Sequence, residues 1–265
     1  MSRDYTLSSV RNAARLLCAF TTTDTELGVG ELARRLGLAK STVFRLLTTL
    51  AGERLVEKNP LTGRYRLGLK LYELGAIVAT HLDLHEAVTT YIDDLRNRTG
   101  ETVHVAILDG DEVVYIERRE SPQTLRLWGR VGHRNRAHRT STGKVLLAHL
   151  PPEELDRVLA ERPLDAKTPH TITDPEALRL ELERVRRQGW AQNVNESEEG
   201  VVSVAAPIRD ASGRVVAAVS TAGPELRLAR DGMRSVTHET LAAAERISER
   251  LGYRPEARAQ GEAGR

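Results

Sequence analysis

The sequence has few of the residues that build crosslinks, metal clusters or membrane spans. It contains one cysteine, Cys18, among 265 residues, which excludes an intramolecular disulfide and a cysteine zinc cluster. Because Cys18 lies between apolar residues of a helical pattern, we expect a buried structural thiol. There is no run of about 18 apolar residues, and the first ten residues, MSRDYTLSSV, contain no apolar signal core. We therefore expect a cytoplasmic protein with no membrane partner.

Aromatic residues and net charge are also low. Aromatic side chains make up 4% of the chain and the net charge is +2. The charge is unevenly placed, because residues 1–68 contain 11 Lys and Arg against 6 Asp and Glu, whereas the remainder contains 28 against 31. The length is typical of two domains. A basic domain beside a slightly acidic one indicates a DNA-binding module attached to a module that does not contact phosphate.

Residues 29–50 predict a helix-turn-helix. Apolar residues spaced three and four apart form two short stripes separated by Gly37: Leu32, Ala33 and Leu36, then Val43, Leu46, Leu47 and Leu50. The opposite face of the second helix would then be free to enter a major groove. We expect hydroxyls and cations on that face to contact DNA: Lys40, Ser41, Thr42 and Arg45. The alternative is a helical hairpin with a solvated basic face.

The flanking segments complete a winged helix-turn-helix. Residues 7–20 predict a covering helix, with Arg11 outside as a phosphate contact. Two short strands at 55–58 and 64–67, joined by a turn, predict a wing. Tyr65 and Leu67 should point inward, so Arg64 and Arg66 should point outward and reach DNA. The alternative for these two arginines is a solvated hairpin edge.

Residues 69–83 predict a linker helix. The segment 68–82 is apolar on two sides, so we expect one side to contact its own domain and the other a second copy of the chain. A homodimer also suits DNA recognition, because two recognition helices double the interface. His81 and His85 are four residues apart, but no third ligand is evident nearby. We therefore predict no metal site.

Residues 84–252 predict a mixed α and β domain with antiparallel hairpins around one sheet, so the fold class is α+β. Helices are expected at 84–98, 140–150, 152–160 and 174–189, and within 227–251; strands are expected at 102–108, 113–117, 125–131, 190–194, 201–208 and 215–221. Residues 253–265 lack a core pattern and predict a mobile tail. No Gly-rich phosphate loop, Cys/His metal spacing or GxSxG elbow occurs. We therefore predict no catalytic residues and no cofactor.

Across residues 8–252 the chain resembles the IclR family of bacterial transcriptional regulators. The resemblance lies in an ordered series of motifs, including SVRNAARLLCAF, GRYRLGLKLYELG, RTGETVHVAIL, HRTSTGKVLLAHL and ESEEGVVSVAAPIRDASGRVVAAVSTAGP. It implies a winged helix-turn-helix domain (1–68), a dimerising linker helix and a GAF-like effector-binding domain for a small metabolite, usually a carboxylate. It also implies homodimers that often pair as tetramers on palindromic double-stranded operators.

The resemblance implies an effector pocket at specific residues: Ser141, Thr142, Asn193, Ser203 and Ser220. Ser141 and Thr142 open a helix whose N-terminus could hold an anion. Ala222 replaces a serine of the family pattern, which leaves more apolar room. With Leu127 and Trp128 as a wall, an acid larger than glyoxylate or pyruvate, including an aromatic one, becomes a candidate. The alternative for Ser203 and Ser220 is a hydroxyl satisfied by the backbone.

Two other functions stay open at this point. One is an enzyme fused to a DNA anchor, which would need His104 or His138 within hydrogen-bond reach of Ser203 or Ser141. The other is a DNA-binding protein whose second domain only mediates assembly. A ligand-responsive transcription factor is the preferred hypothesis.

Overall fold

The computed structural model describes residues 7–21, 23–81, 84–125, 127, 130–228 and 231–254. The chain divides into two compact units, Met1–Leu82 and Asp83–Arg265. No described helix is long and apolar enough to cross a membrane.

The first unit is a winged helix-turn-helix followed by a long helix. Its elements are α1 (Ser8–Leu17), α2 (Val29–Leu36), α3 (Lys40–Gly52), β1 (Val56–Lys58), β2 (Tyr65–Leu67) and α4 (Leu69–His81). Strands β1 and β2 pair antiparallel, and an isolated bridge joins Leu27 to Tyr65. The predicted winged helix-turn-helix is therefore confirmed.

Local sequence sets the boundaries of the two motif helices. Helix α2 begins after Gly28, whose N–H donates to the Glu31 carboxylate at 2.9 Å, which satisfies one donor at the helix start. It ends at Gly37, whose φ of 68° is a left-handed conformation that glycine adopts without strain. The apolar stripes of α2 and α3 meet α1 in one core, in which Leu16, Leu32 and Leu47 are fully buried.

Two burial predictions in this unit are wrong. Cys18 is exposed, because it comes just after the end of α1 and two residues beyond the buried Leu16, on roughly the opposite side of the helix axis. Leu67 is 43% exposed although its register partner Val56 is buried. Leu67 is the last residue of β2, so its side chain lies where the chain leaves the core for α4.

The second unit is one antiparallel sheet with helices. Its elements are α5 (Leu84–Thr99), β3 (Thr102–Asp109), β4 (Glu112–Arg119), β5 (Arg134–Arg136), α6 (Ser141–Ala148), α7 (Pro152–Glu161), α8 (Pro175–Gln188), β6 (Ala191–Val194), β7 (Val201–Arg209), β8 (Val215–Pro224), α9 (Glu225–Leu228) and α10 (Asp231–Arg250). The strand order is β5-β4-β3-β8-β7-β6. The α+β fold class is confirmed.

Both faces of this sheet are covered. Successive strand residues point to opposite faces, and the neighbours Val105 and Ala106 in β3 are both fully buried. Helices α6 and α8 pack with Ala106, Ala205 and Ala218 in the larger core, while α10 packs on α5 and on β7. Small alanines on the strands leave room for α6 to approach the sheet closely.

The strand predicted at 125–131 is wrong for the residues described there, because Leu125, Leu127 and residues 130–131 are not in a strand. The chain instead turns at Gly132, with φ of 81°, and forms β5 three residues long. An ion pair between Arg136 and Asp111, at 2.6 Å, links β5 to the β3–β4 turn. Residues 255–265 of the predicted tail lie outside the described residues.

Candidate nucleic-acid interface and ligand pocket

Helix α3 presents one polar face to solvent. Its buried side chains Val43, Leu47 and Leu50 lie on one side. The four predicted DNA-contacting residues of this helix are all exposed: Lys40, Ser41, Thr42 and Arg45. The arrangement is that of a recognition helix, with its apolar stripe in the core and its N-terminal polar residues free to meet base edges and phosphate.

Phe44 also lies on this face and was not predicted from the sequence. Its side chain is 52% exposed, and its carbonyl accepts a hydrogen bond from the Thr48 hydroxyl at 2.9 Å. A signal was present in the sequence, because Phe44 falls outside the stripe formed by Val43 and Leu47. An exposed aromatic side chain on a recognition helix is suited to contact a thymine methyl group.

The two predicted wing arginines occupy different environments. Arg64 donates to the Glu31 carboxylate at 2.7 Å and to the Glu26 carbonyl at 3.0 Å, so it fastens the wing to the start of α2. The pKa of Glu31 is lowered chiefly by the hydrogen bond from the Gly28 backbone and further by Arg64. Arg66 pairs with Glu57 at 3.0 Å across β1 and β2.

Arg11, the remaining predicted phosphate contact, is exposed on α1. Arg64 is engaged within the domain, whereas the side chain of Arg66 is 55% exposed and forms an ion pair with Glu57 across the hairpin.

A cavity of about 120 Å³ lies in the second unit, at the N-terminus of α6. Six of the seven predicted effector residues line it: Leu127, Ser141, Thr142, Asn193, Ser203 and Ser220. The seventh, Trp128, lies outside the described residues. A further group of residues lines the pocket and was not predicted from the sequence: His104, Tyr115, His133, Asn135, Thr140, Ser197, Glu198 and Val201. Residues from distant parts of the chain thus meet at one cavity.

The start of α6 forms one wall of this pocket. Thr140 is the N-cap, and its hydroxyl accepts a hydrogen bond from the Gly143 N–H at 3.0 Å. The hydroxyls of Ser141 and Ser203 lie 2.7 Å apart and bond to each other. The first N–H groups of a helix lack intrahelical acceptors and carry partial positive charge. This wall can therefore hold an anionic group.

His104 and Tyr115 add neutral hydrogen-bonding side chains to the lining, which also contains the Glu198 carboxylate. Burial, helped by the charge of Arg118, lowers the pKa of His104 to about 3, so this imidazole is neutral. Its Nε2 accepts from the Arg118 Nε at 3.4 Å, which leaves Nδ1 as the protonated donor. Burial also raises the pKa of Tyr115, whose hydroxyl bonds to Thr142. Among the described lining residues there is no Lys or Arg.

Asn193 is engaged in holding the pocket together. Its amide nitrogen donates to the Arg139 carbonyl at 2.9 Å and to the Ser197 hydroxyl at 2.8 Å. Its amide oxygen accepts from the Glu196 N–H at 2.9 Å. Asn193 therefore fixes the loop that follows β6, and that loop supplies another wall of the pocket.

The arrangement gives no support to the enzyme alternative. His138 Nε2 bonds to the Asp165 carbonyl at 3.1 Å, and His104 bonds to Arg118. Among the described residues, the hydroxyls of Ser141 and Ser203 pair with each other rather than with a base.

The described residues contain no group of three metal-ligating side chains. The candidate metal pair, His81 and His85, falls on side chains that lie outside the described part of the structure.

A winged helix-turn-helix joined to an α+β domain with a small polar pocket defines a two-domain DNA-binding regulator. Comparison with protein families assigns both parts of the chain to one family. The IclR helix-turn-helix domain matches residues 9–60, and the family described as bacterial transcriptional regulator IclR C-terminal matches residues 76–249. The chain belongs to the IclR family of bacterial transcriptional regulators.

Curated relatives and solved structures agree with this assignment. The chain is 37% identical over 228 residues to the HTH-type transcriptional regulator KdgR of Dickeya chrysanthemi, covering 86% of this chain and 75% of the relative. It is 36% identical over 247 residues to the HTH-type transcriptional regulator XynR of Escherichia coli (strain K12), covering 93% and 98%. These relatives are named as regulators of transcription, which favours a regulator over an enzyme.

One similar structure has been solved with a ligand. It is an IclR homolog from Microbacterium hydrocarbonoxydans complexed with 4-hydroxybenzoate, with a TM-score of 0.83 and 30% sequence identity, covering 92% of this chain and 99% of the other. A small aromatic acid thus binds that homolog.

Proposed function

We propose that this protein is a ligand-responsive transcription factor that binds a palindromic operator and is modulated by a small organic acid. Helix α3 enters the major groove, with Lys40 and Arg45 among the contacts, and the wing contacts the flanking duplex. The observation that carries the ligand-responsive part is the pocket at the N-terminus of α6, where residues implied by the family resemblance converge.

The chemistry of the pocket favours a small, polar acid. Its volume, about 120 Å³, is below the roughly 300–1,000 Å³ of sites that hold drug-sized ligands. A carboxylate fits the α6 N-terminus beside Ser141 and Thr142, where backbone N–H groups and hydroxyls act as donors. Neutral His104 and Tyr115 can bond to the remaining polar groups of the ligand. Since the described lining has few apolar side chains, hydroxylated acids fit it better than a bare aromatic ring.

We further propose that α4 pairs two copies of the chain. Three apolar side chains of this helix are exposed in the single chain: Leu69 at 61%, Tyr72 at 75% and Leu74 at 44%. Leu69 and Tyr72 lie on one side of the helix and Leu74 on another, and exposed apolar side chains of this kind favour burial against a partner. The corresponding domain limits are 1–68, 69–83 and 84–252. Two recognition helices in a dimer would read half-sites about 34 Å apart on one face of the duplex, and such dimers would pair as dimers of dimers.

The effector acts by linkage. A ligand changes operator affinity only to the extent that it binds the two arrangements of the dimer unequally. Two variants therefore separate operator binding from the response to the effector: Arg45→Ala, in the DNA-binding unit, and Ser220→Ala, in the pocket.

The test uses a fluorescent duplex selected from a random library by the wild-type protein. Fluorescence anisotropy is measured with and without pyruvate, D-gluconate and 4-hydroxybenzoate. We expect Arg45→Ala to weaken operator binding about tenfold or more, and Ser220→Ala to retain binding but lose the response to acid. Protein that ignores every duplex at low ionic strength would contradict DNA binding, and wild-type affinity that no acid changes would contradict this ligand class.

The dimer is tested separately by light scattering after size exclusion. We expect a dimer or tetramer for the wild type and a monomer for Tyr72→Glu, because the new charge lies on the exposed apolar face of α4. A monomeric wild type would contradict the pairing.

A further inference from the structure

A buried ammonium group lies just behind the pocket. Lys144 is the fourth residue of α6 and is 1% exposed. A lysine charge in a protein interior is costly unless it is paired with an opposite charge. The position of this group therefore depends on the carboxylates around it.

Two carboxylates meet this ammonium group. Lys144 Nζ lies 2.7 Å from Glu196 Oε1 and 3.3 Å from Glu181 Oε1. Glu181 has a second cation, because Arg184 bonds to both of its oxygens. Arg184 also interacts with Glu196 through its charge, but Lys144 is the cation that hydrogen-bonds to Glu196. The Oε2 of Glu196 is a buried atom without a hydrogen-bond partner among the described residues. The Lys144–Glu196 contact is thus the shorter one and the one that Glu196 depends on more.

Glu196 belongs to the loop that forms a wall of the pocket. We call residues 195–200 the wall loop; it joins β6 to β7. The backbone of Glu196 is fixed by Asn193 at its N–H and by the Thr171 hydroxyl, which donates to its carbonyl at 2.7 Å. The next two residues, Ser197 and Glu198, line the pocket. Moving Glu196 therefore moves that wall.

Lys144 belongs to the other wall of the pocket, the N-terminus of α6. Ser141 and Thr142 line the pocket at the α6 N-terminus, and Lys144 follows within the same first turn of the helix. The ion pair consequently joins the helix wall to the wall loop across a sequence separation of 52 residues.

We propose that Lys144 is a positioning residue, whose ion pair with Glu196 holds the wall loop against the N-terminus of α6 and thereby sets the affinity of the pocket for its effector. The second part of this inference rests on the proposed function, because it takes the cavity to be the effector site. The first part, the placement of the loop, does not.

The loop placement is tested by hydrogen–deuterium exchange on the full-length protein. We expect Glu196→Gln and Lys144→Met to raise exchange at residues 195–201 about tenfold, with little change in β3. Glu181→Gln is the matched control, since it removes a carboxylate from Lys144 but not from the loop, and it should leave residues 195–201 unchanged. The charge reversal Lys144→Glu with Glu196→Lys should restore part of the protection. Unchanged exchange in both single variants would overturn the inference, as would an equal rise with Glu181→Gln.

The consequence for effector binding is tested by isothermal titration calorimetry with D-gluconate. We expect Glu196→Gln to weaken binding about tenfold, while operator affinity without the acid stays at the wild-type value. Wild-type affinity for D-gluconate in Glu196→Gln would overturn the effect on the pocket. If the wild type itself binds none of the acids tested above, the proposed function fails, and the exchange experiment still decides whether Lys144 positions the loop.

Discussion

Replacing Gly143 by alanine should disable the pocket while leaving the DNA-binding unit intact. Gly143 lies in the first turn of α6, where its N–H is bonded to the Thr140 cap. A Cβ at this position would lie 2.5 Å from the carbonyl carbon of Ala137 and closer still to the oxygen and Cα of that residue. These are backbone atoms, so rotation of a side chain cannot relieve the overlap.

The size of the effect follows from this distance. Ordinary van der Waals contacts of a Cβ begin at 3.4 Å. The overlap with the carbonyl carbon alone requires a movement of about 0.9 Å, and the closer oxygen and Cα of Ala137 require α6 or this backbone to move further. Overpacking of this kind typically costs about 1–3 kcal/mol. For a domain of about 150–250 residues, each kcal/mol lowers the Tm by roughly 2–4 °C, which gives an expected loss of about 2–12 °C. Because binding groups must be held within about 0.5 Å of their working geometry, the response to acid should disappear.

The assay combines thermal unfolding with operator anisotropy in the presence and absence of D-gluconate. Gly52→Ala is the control, because it also adds a methyl group to a helical glycine, the last residue of α3, but meets nothing within 4 Å. This control should be neutral or stabilising by up to about 1 kcal/mol. A Gly143→Ala protein with wild-type Tm and a wild-type response to the acid would refute the close-packing argument.

Three further predictions concern the DNA face and the pocket histidine. Arg45→Ala should weaken operator binding more than Arg66→Ala, because the Arg66 guanidinium is already paired with Glu57; equal losses in anisotropy would contradict this ranking. Phe44→Ala should weaken operator binding about tenfold with little change in Tm, since the side chain is 52% exposed; a large loss of Tm would instead show a core role. Burial holds the pKa of His104 at about 3, against an ordinary 6.5, so below pH 6.5 the unfolded chain binds a proton that the folded chain does not. The free energy of unfolding should therefore be undiminished above pH 6.5 and fall towards pH 3 by up to about 1.4 kcal/mol per pH unit, and urea titrations of His104→Asn should lose that part of the slope.

The fold of the DNA-binding unit was predictable because the apolar spacing that defines each helix lies within a few consecutive residues. The spacing of Leu32 and Leu36, and then of Val43 and Leu47, directly gives the buried side of each helix, and Gly37 marks the turn between them. Burial departed from the pattern at Cys18 and Leu67, where an element ends. At such positions the apolar spacing continues in the sequence, but the side chain lies outside the buried core.

The pocket was only partly predictable because its residues meet through strand register. His104 lies opposite Arg118 in the pairing of β3 with β4, next to an irregularity between Val105 and Ala106. A shift of register by one residue would place His104 on the other face of the sheet. Alternation within β3 alone cannot show which arginine the imidazole meets, so the lowered pKa of His104 is visible only in the structure.

Burial of α6 on all sides explains why events in the pocket can affect the whole second unit. All eight residues of this helix, Ser141–Ala148, are buried, and it packs on α8 and on the central strands β3, β7 and β8. A close-packed interior does not absorb displacements gradually, and such elements tend to move between discrete arrangements. A ligand held at the N-terminus of α6 therefore acts on an element that cannot shift alone, and this rigidity gives a small acid a way to favour one arrangement of the domain over another.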